Sequence, residues 1–199
     1  MTGLRERKKA ASRAAMSQAA WRMLLEHGLD AVTPESVAAA ADMAPRTFRY
    51  HFRNREEAIL DGLAQQHMAL AARIRERPAG EPVWDSLRHV LPAAVTEMFG
   101  DRAEFAKLVA VIADSPAMLA ANLLVLEQGR QLMAGAIGER IGRTPQTDVY
   151  PGLLAGVAGT AISIAVTHWA RGDDDTPLGD LIRDCLDRLR AGLPLETSP

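Results

Sequence analysis

Arg46, Thr47, Arg49, Tyr50 and His51 stand almost side by side, interrupted only by Phe48 and followed by Phe52. Guanidinium, hydroxyl and imidazole groups packed this closely suit phosphate oxygens and base edges better than they suit a core. A helix through these residues puts Phe48 and Phe52 at i and i+4 on one inner face. At about 100° per residue, Tyr50 and Arg46 then project most nearly away from that face, Thr47 and Arg53 flank them, and Arg49 and His51 lie at the edges. Such a helix can be anchored by its two rings while its wet face lies in a major groove. Spacing alone also allows a surface hairpin that binds nothing, but the chemistry of the outer face favours DNA.

The elements that must position this face are legible around it. Thr33 before Pro34 is an N-cap with proline at the first helical position, so a helix runs from there to about Ala41 and supplies Val37 and Ala38 to a shared core. Its start at Thr33 can turn backbone N–H groups and a hydroxyl toward a phosphate. Asp42, Met43 and Ala44 make the turn, and the next helix spans Pro45 to Phe52. An earlier helix covers Arg5 to His27, stops at Gly28, and turns Met16, Ala20, Met23 and Leu24 inward. Asn54 caps a fourth helix running through Arg77. Further helices are predicted from Val83 to Phe99 with a kink or break at Pro92, then Arg102 to Ala113, Pro116 to Ile141, Thr147 to Ala170 and Leu178 to Ala191. The acidic stretch RGDDDTP reads as a solvated linker.

Composition agrees with an all-α fold, being 48% hydrophobic and dominated by Ala and Leu. Cys185 is the only cysteine, which rules out an internal disulfide and a multi-cysteine zinc site. Residues 1–55 carry 10 Lys and Arg against 5 Asp and Glu, while the remainder carries 13 against 20. Only the front of the chain is therefore suited to a polyanion. The basic start RERKK reads equally as a solvated tail or as an additional DNA contact, and no export signal or membrane-spanning segment is expected. The charge-free stretch from Val149 to Ala170 reads instead as a buried or interface helix. Phosphate loops, helical His pairs and nucleophile elbows are all missing from the sequence, so an enzyme, a metal site and a cofactor are not expected. The expected location is the cytoplasm.

From Ala14 to Leu60 the chain resembles the N-terminal DNA-binding domain of TetR-family transcriptional regulators. The resemblance is carried by MSQAAWRMLLEHG, the Thr33 start, VAAAADM and TFRYHFRNREEAIL. It implies a three-helix helix-turn-helix domain over 1–55 and a larger helical ligand-binding and dimerisation domain over 56–199, with about nine helices in all. It also implies that Thr33 and His51 contact phosphate, that Arg46, Thr47 and Tyr50 contact base edges or adjacent backbone, and that Arg55 grips the backbone from the fourth helix. Arg49 stands where the family often has an aromatic residue, so its phosphate contact would be ionic. Asp42 replaces a turn glycine, and Ala44 replaces a Ser or Thr cap.

In the body, Leu178, Leu181, Ile182, Cys185, Leu186 and Leu189 form an apolar stripe at helical spacing. In the resembled family the last two long helices pair with those of a second subunit, so this stripe is the expected homodimer interface and a palindromic operator the expected DNA. Gly152, Gly156 and Thr160 recur at steps of four, suiting close helix packing or a pocket wall equally. The candidate ligand-binding residues are Trp84, Leu91, Phe105, Leu108, Ile112, Met118, Leu126, Met133, Ile164 and His168. Residues 73–193 resemble the TetR subfamily whose C-terminal domain is described as acyl-CoA-like ligand-binding. A repressor released from its operator by a small apolar, acyl-CoA-like effector is the function implied. The alternative is a helical dimeric interaction protein whose DNA-binding head is not controlled by ligand.

Overall fold

The computed structural model describes residues 3–172 and 175–193. Among these residues the chain forms nine α-helices and a short 3-10 turn at Leu29–Ala31, with no strand. The helices are α1 (Leu4–His27), α2 (Pro34–Ala40), α3 (Pro45–His51), α4 (Arg55–Arg75), α5 (Val83–Phe99), α6 (Arg102–Asp114), α7 (Pro116–Ile141), α8 (Val149–Arg171) and α9 (Leu178–Arg190). The all-α expectation and the order of elements hold. Asp173 and Asp174 of the RGDDDTP stretch, and residues 194–199, lie outside the described residues.

The chain divides into two compact units. The first contains residues up to Gln65 together with Lys107–Leu126, and the second contains Gln66–Ala106 with the residues from Glu127 onward. Within the first unit, Met16, Ala20 and Leu24 of α1 meet Val37 and Ala38 of α2, Phe48 and Phe52, and Ile59 and Leu60 of α4. Leu108 and Met118 complete that core. Small side chains on α1 and α2 let the long α1 and the two short helices α2 and α3 approach closely enough for two phenylalanine rings to fill the space between them. The rings of Phe48 and Phe52 stand 5.4 Å apart.

The local signals behave as their chemistry requires. Gly28 ends α1 at φ 80°, a conformation open to glycine because it lacks Cβ. Thr33 caps α2 reciprocally with Ser36: the Ser36 N–H donates to the Thr33 hydroxyl at 3.1 Å, and the Thr33 N–H donates to the Ser36 hydroxyl at 3.0 Å. Asp42 does adopt the left-handed region, at φ 56°, while the Met43 N–H closes the helix end on the Ala38 carbonyl at 2.8 Å. Ala44 gives α3 no side-chain cap, and Pro45 starts it. Asn54 caps α4 by accepting from the Glu57 N–H at 2.8 Å.

In the second unit, α5, α7, α8 and α9 enclose a core of Leu87, Leu91, Ile137, Ala158, Ile182 and their neighbours. Helix α5 is not divided at Pro92, which is buried inside it. Helix α8 is long and apolar enough to cross a bilayer by length and composition, contrary to the sequence reading. It nevertheless buries Leu154, Ala155, Ala158, Ala161 and Ala165 as a core helix does. At the end of α7, Gly142 turns to φ 67° and the Arg143 N–H returns to the Gly138 carbonyl at 2.9 Å. A Cβ on Gly138 would lie 2.5 Å from the backbone carbonyl oxygen of Arg143, so no side-chain rotation can relieve it. Gly138→Ala is expected to lower the unfolding free energy by about 1–3 kcal/mol despite alanine's better helix propensity, as read by urea denaturation.

Candidate nucleic-acid interface

Phe48 is 1% exposed and Phe52 3%, whereas Tyr50 is 64% exposed. The two rings thus fix the roll of α3, leaving Arg46, Arg49 and Tyr50 outward and Thr47 half-buried. Arg46 has no ion pair among the described residues, so its guanidinium is available to an incoming anion. Arg49 donates to Glu35 of α2 at 3.3 Å. Both side chains are largely exposed, and such a surface pair contributes only about 0–1 kcal/mol, so a phosphate can displace the carboxylate.

Three expected phosphate contacts are changed by the structure. His51 is buried, its Nδ1 has no hydrogen-bond partner, and burial followed by the positive charges of Arg13 and Lys9 pushes its pKa down. A neutral, buried ring is a poor phosphate contact. Arg55 turns back into the protein, donating to the Leu29 carbonyl at 3.0 Å and pairing with Glu56 at 3.2 Å. It fastens the start of α4 to the 3-10 turn instead of standing free for DNA. The Thr33 hydroxyl is exposed, but it is already engaged in the cap with Ser36.

The residue that sequence reasoning missed is Arg13. Its Nε donates to buried Asp61 at 2.8 Å, its Nη2 pairs with Glu57 at 3.2 Å, and its Nη1 donates to the backbone carbonyl of His51 at 2.5 Å. The guanidinium also lies 4.5 Å from the centre of the Phe52 ring. One side chain therefore joins α1, the last residue of α3 and α4. A signal was present: Arg13 sits three residues before Met16, in line with the apolar face of α1, where a charge requires a buried partner.

The proposed ligand-binding residues do not form one group. Leu91 and Met133 are buried in the core of the second unit, with Trp84 and Phe105 packed against it. Leu108, Ile112 and Met118 belong to the cluster of the first unit. Leu126, Ile164 and His168 are exposed. Phe105 stacks edge-on with Phe99 at 4.8 Å and lies 6.0 Å from Trp169, over which Arg102 sits at 5.3 Å.

The expected dimer stripe on α9 is largely used inside the chain. Leu178, Ile182 and Leu186 are buried at 3%, 0% and 0% exposure, and Leu181, Cys185 and Leu189 are half-buried against the same core. A helix with a single apolar face can bury it only once. Burial also raises the Cys185 thiol pKa, as an inert cysteine requires. No His, Cys, Asp and Glu group capable of holding a metal occurs among the described residues.

A short, ring-anchored helix presenting Arg and Tyr behind a tight turn has the geometry of the second helix of a helix-turn-helix. Residues 17–60 match the family described as bacterial regulatory proteins, tetR family, and residues 81–194 match the MftR C-terminal domain. The chain belongs to the TetR family of DNA-binding transcriptional regulators, a non-enzymatic family, and carries a C-terminal domain of the MftR type. It is 28% identical to the HTH-type transcriptional regulator TcmR of Streptomyces glaucescens over 199 residues, covering 96% of this chain and 88% of TcmR. It is 29% identical to MftR of Mycobacterium tuberculosis over 181 residues, covering 89% of each. The fold is shared with Thermus thermophilus FadR, a repressor solved with lauroyl-CoA, at TM-score 0.65 and 16% identity over 94% of this chain and 97% of that one. It is also shared with SmeT of Stenotrophomonas maltophilia in complex with triclosan, at TM-score 0.58 and 19% identity over 95% of this chain and 99% of that one.

Two outcomes follow from this geometry. Glu35→Gln frees Arg49 and removes a negative charge beside the exposed face of α3, so DNA affinity should rise about 2- to 5-fold in a gel-shift titration. Arg13→Ala leaves Asp61 buried without its cation, so the unfolding free energy should fall by about 3–5 kcal/mol in urea denaturation.

Proposed function

We propose that the chain is a homodimeric cytoplasmic repressor that holds a palindromic operator through α3 and leaves it when a small apolar effector of acyl-CoA-like chemistry binds the helical body. The observation that carries this reading is the outward face of α3, with Arg46 unpaired and Tyr50 64% exposed above two buried rings. Membership of a family of DNA-binding regulators supports DNA as the ligand of that face.

The surface for a second copy is assigned to α8. After one side of α8 is spent on the core, Val149, Leu153 and Ile164 remain 84%, 62% and 58% exposed. They share a face with Gly156 and Thr160, and a Cβ on Gly152, Gly156 or Gly159 would meet nothing within 4 Å. A helix that is apolar all round has a second face to bury, and small residues along it let a partner helix approach closely. A twofold dimer would pair two reading helices with two half-sites.

Support for an apolar effector comes from the complexes of two proteins sharing this fold, FadR with lauroyl-CoA and SmeT with triclosan. Trp84, Leu91, Phe105 and Met133, which share the core of the second unit, are the proposed contacts. An effector lowers DNA affinity only by binding the non-DNA-binding arrangement more tightly. Helix α4 is the proposed lever. Arg13 grips it at Asp61, and near its other end Arg73 pairs with Glu97 of α5 at 2.7 Å.

The test is footprinting of the full chain on its own upstream DNA across a salt series. A short palindromic footprint is expected, weakened about 10- to 100-fold by Arg46→Ala or Tyr50→Ala. Lauroyl-CoA should release it where free CoA does not. Binding indifferent to both substitutions would overturn the operator reading in favour of an interaction protein, and release by neither or both additives would overturn the acyl effector.

A further inference from the structure

We propose that the first two turns of α1 form a second DNA-contact surface, in which Arg5, Lys8 and Lys9 hold the sugar-phosphate backbone beside the groove entered by α3. This rests on the operator reading above. The basic run is part of the fold and not a tail, because α1 begins at Leu4 and continues unbroken to His27. The Lys9 ammonium lies 5.4 Å from the centre of the Tyr50 ring, on the outward side of α3. One turn further along α1, Arg13 donates to the carbonyl that ends α3. The side of α1 that carries Lys9 and Arg13 is therefore the side that runs along the reading helix.

Helical geometry sorts the remaining charges. At about 100° per residue, Arg5 lies within about 40° of Lys9 and Lys8 about 100° away, whereas Arg7 points about 160° away. Glu6, about 60° to the other side, is the one carboxylate of the run. Arg5, Lys8 and Lys9 are exposed, and none holds an ion pair among the described residues. Several arginines of the second unit are paired instead: Arg73, Arg75, Arg77 and Arg88 each hold a carboxylate within 2.7 Å. Unpaired cations in a row beside an exposed Tyr and Arg face concentrate positive potential where a polyanion would pass. Lysine ammonium groups act as point charges with no planar fork for base edges, so the backbone is their ligand.

The experiment compares the full chain with an Arg5→Gln/Lys9→Gln double variant and with Arg7→Gln, by footprinting and affinity across a salt series. The exposed substitutions should leave the thermal melting curve unchanged. The double variant is expected to bind about 10-fold or more weakly at low salt, to lose about two from the slope of log affinity against log salt, and to lose protection at the outer edges of the footprint only. Arg7→Gln should lose much less, and Arg5→Lys/Lys9→Arg should restore the wild-type slope. A double variant with wild-type slope and edges would overturn this surface alone. Equal weakening by Arg7→Gln would also overturn it, since net charge and not position would then be responsible. If the unaltered chain protects no site, the operator reading fails and this inference fails with it.

Discussion

The first unit depends on the Arg13 guanidinium. Helix α3 is only seven residues long, lacks a side-chain cap and carries polar groups over most of its surface. Helices this short are not stable alone, so tertiary contacts must hold it. Phe48 and Phe52 hold it from below, but two rings fix its roll better than its axial position. The donation from Arg13 to the His51 carbonyl engages a C-terminal group that the helix itself leaves unsatisfied. The same cation neutralises Asp61, which is 4% exposed, and so makes a buried carboxylate on α4 tolerable. Three helices are thereby referred to one planar, always-charged group.

Charge pairing divides along the same functional line. In the body, Arg88 meets Asp187, Arg190 meets Asp85 and Arg75 meets Glu139, so many of the arginines there are neutralised at the surface. In the head, Arg46 and the basic start of α1 keep their charges unpaired among the described residues. A near-neutral chain, formally -2, can in this way present a strongly positive face to one partner.

The contrast between α8 and α9 follows from how often a helix can be buried. The alternation of leucines with Asp and Arg on α9 gives one apolar face, and Leu178, Ile182 and Leu186 consume it in the core. Helix α8 carries no charge before its last turn, so burying one face leaves another of Val149, Leu153 and Ile164 in the open. Reading the strongest stripe as the outer interface reverses the physical priority, because the most sharply amphipathic helix is the one a monomer core can satisfy.

Much of this protein was determined locally and is legible in its sequence. Thr33 with Pro34, Asp42 in the turn, Asn54 before α4 and Gly28 after α1 set the helix ends, because capping and left-handed turns are decided by near neighbours. The i, i+4 pair of Phe48 and Phe52 likewise fixed which face of α3 points outward, since helical geometry places it. The local spacing could not tell that His51 would be buried, that Arg55 would turn to the Leu29 carbonyl, or that Arg13 would bracket three helices. Those outcomes depend on partners 26 to 48 residues away, and a long cation or an edge imidazole has no preferred direction until distant helices pack around it. The same holds for α8 and α9: the sequence shows how much apolar surface each must hide, but only tertiary packing decides which face is already hidden.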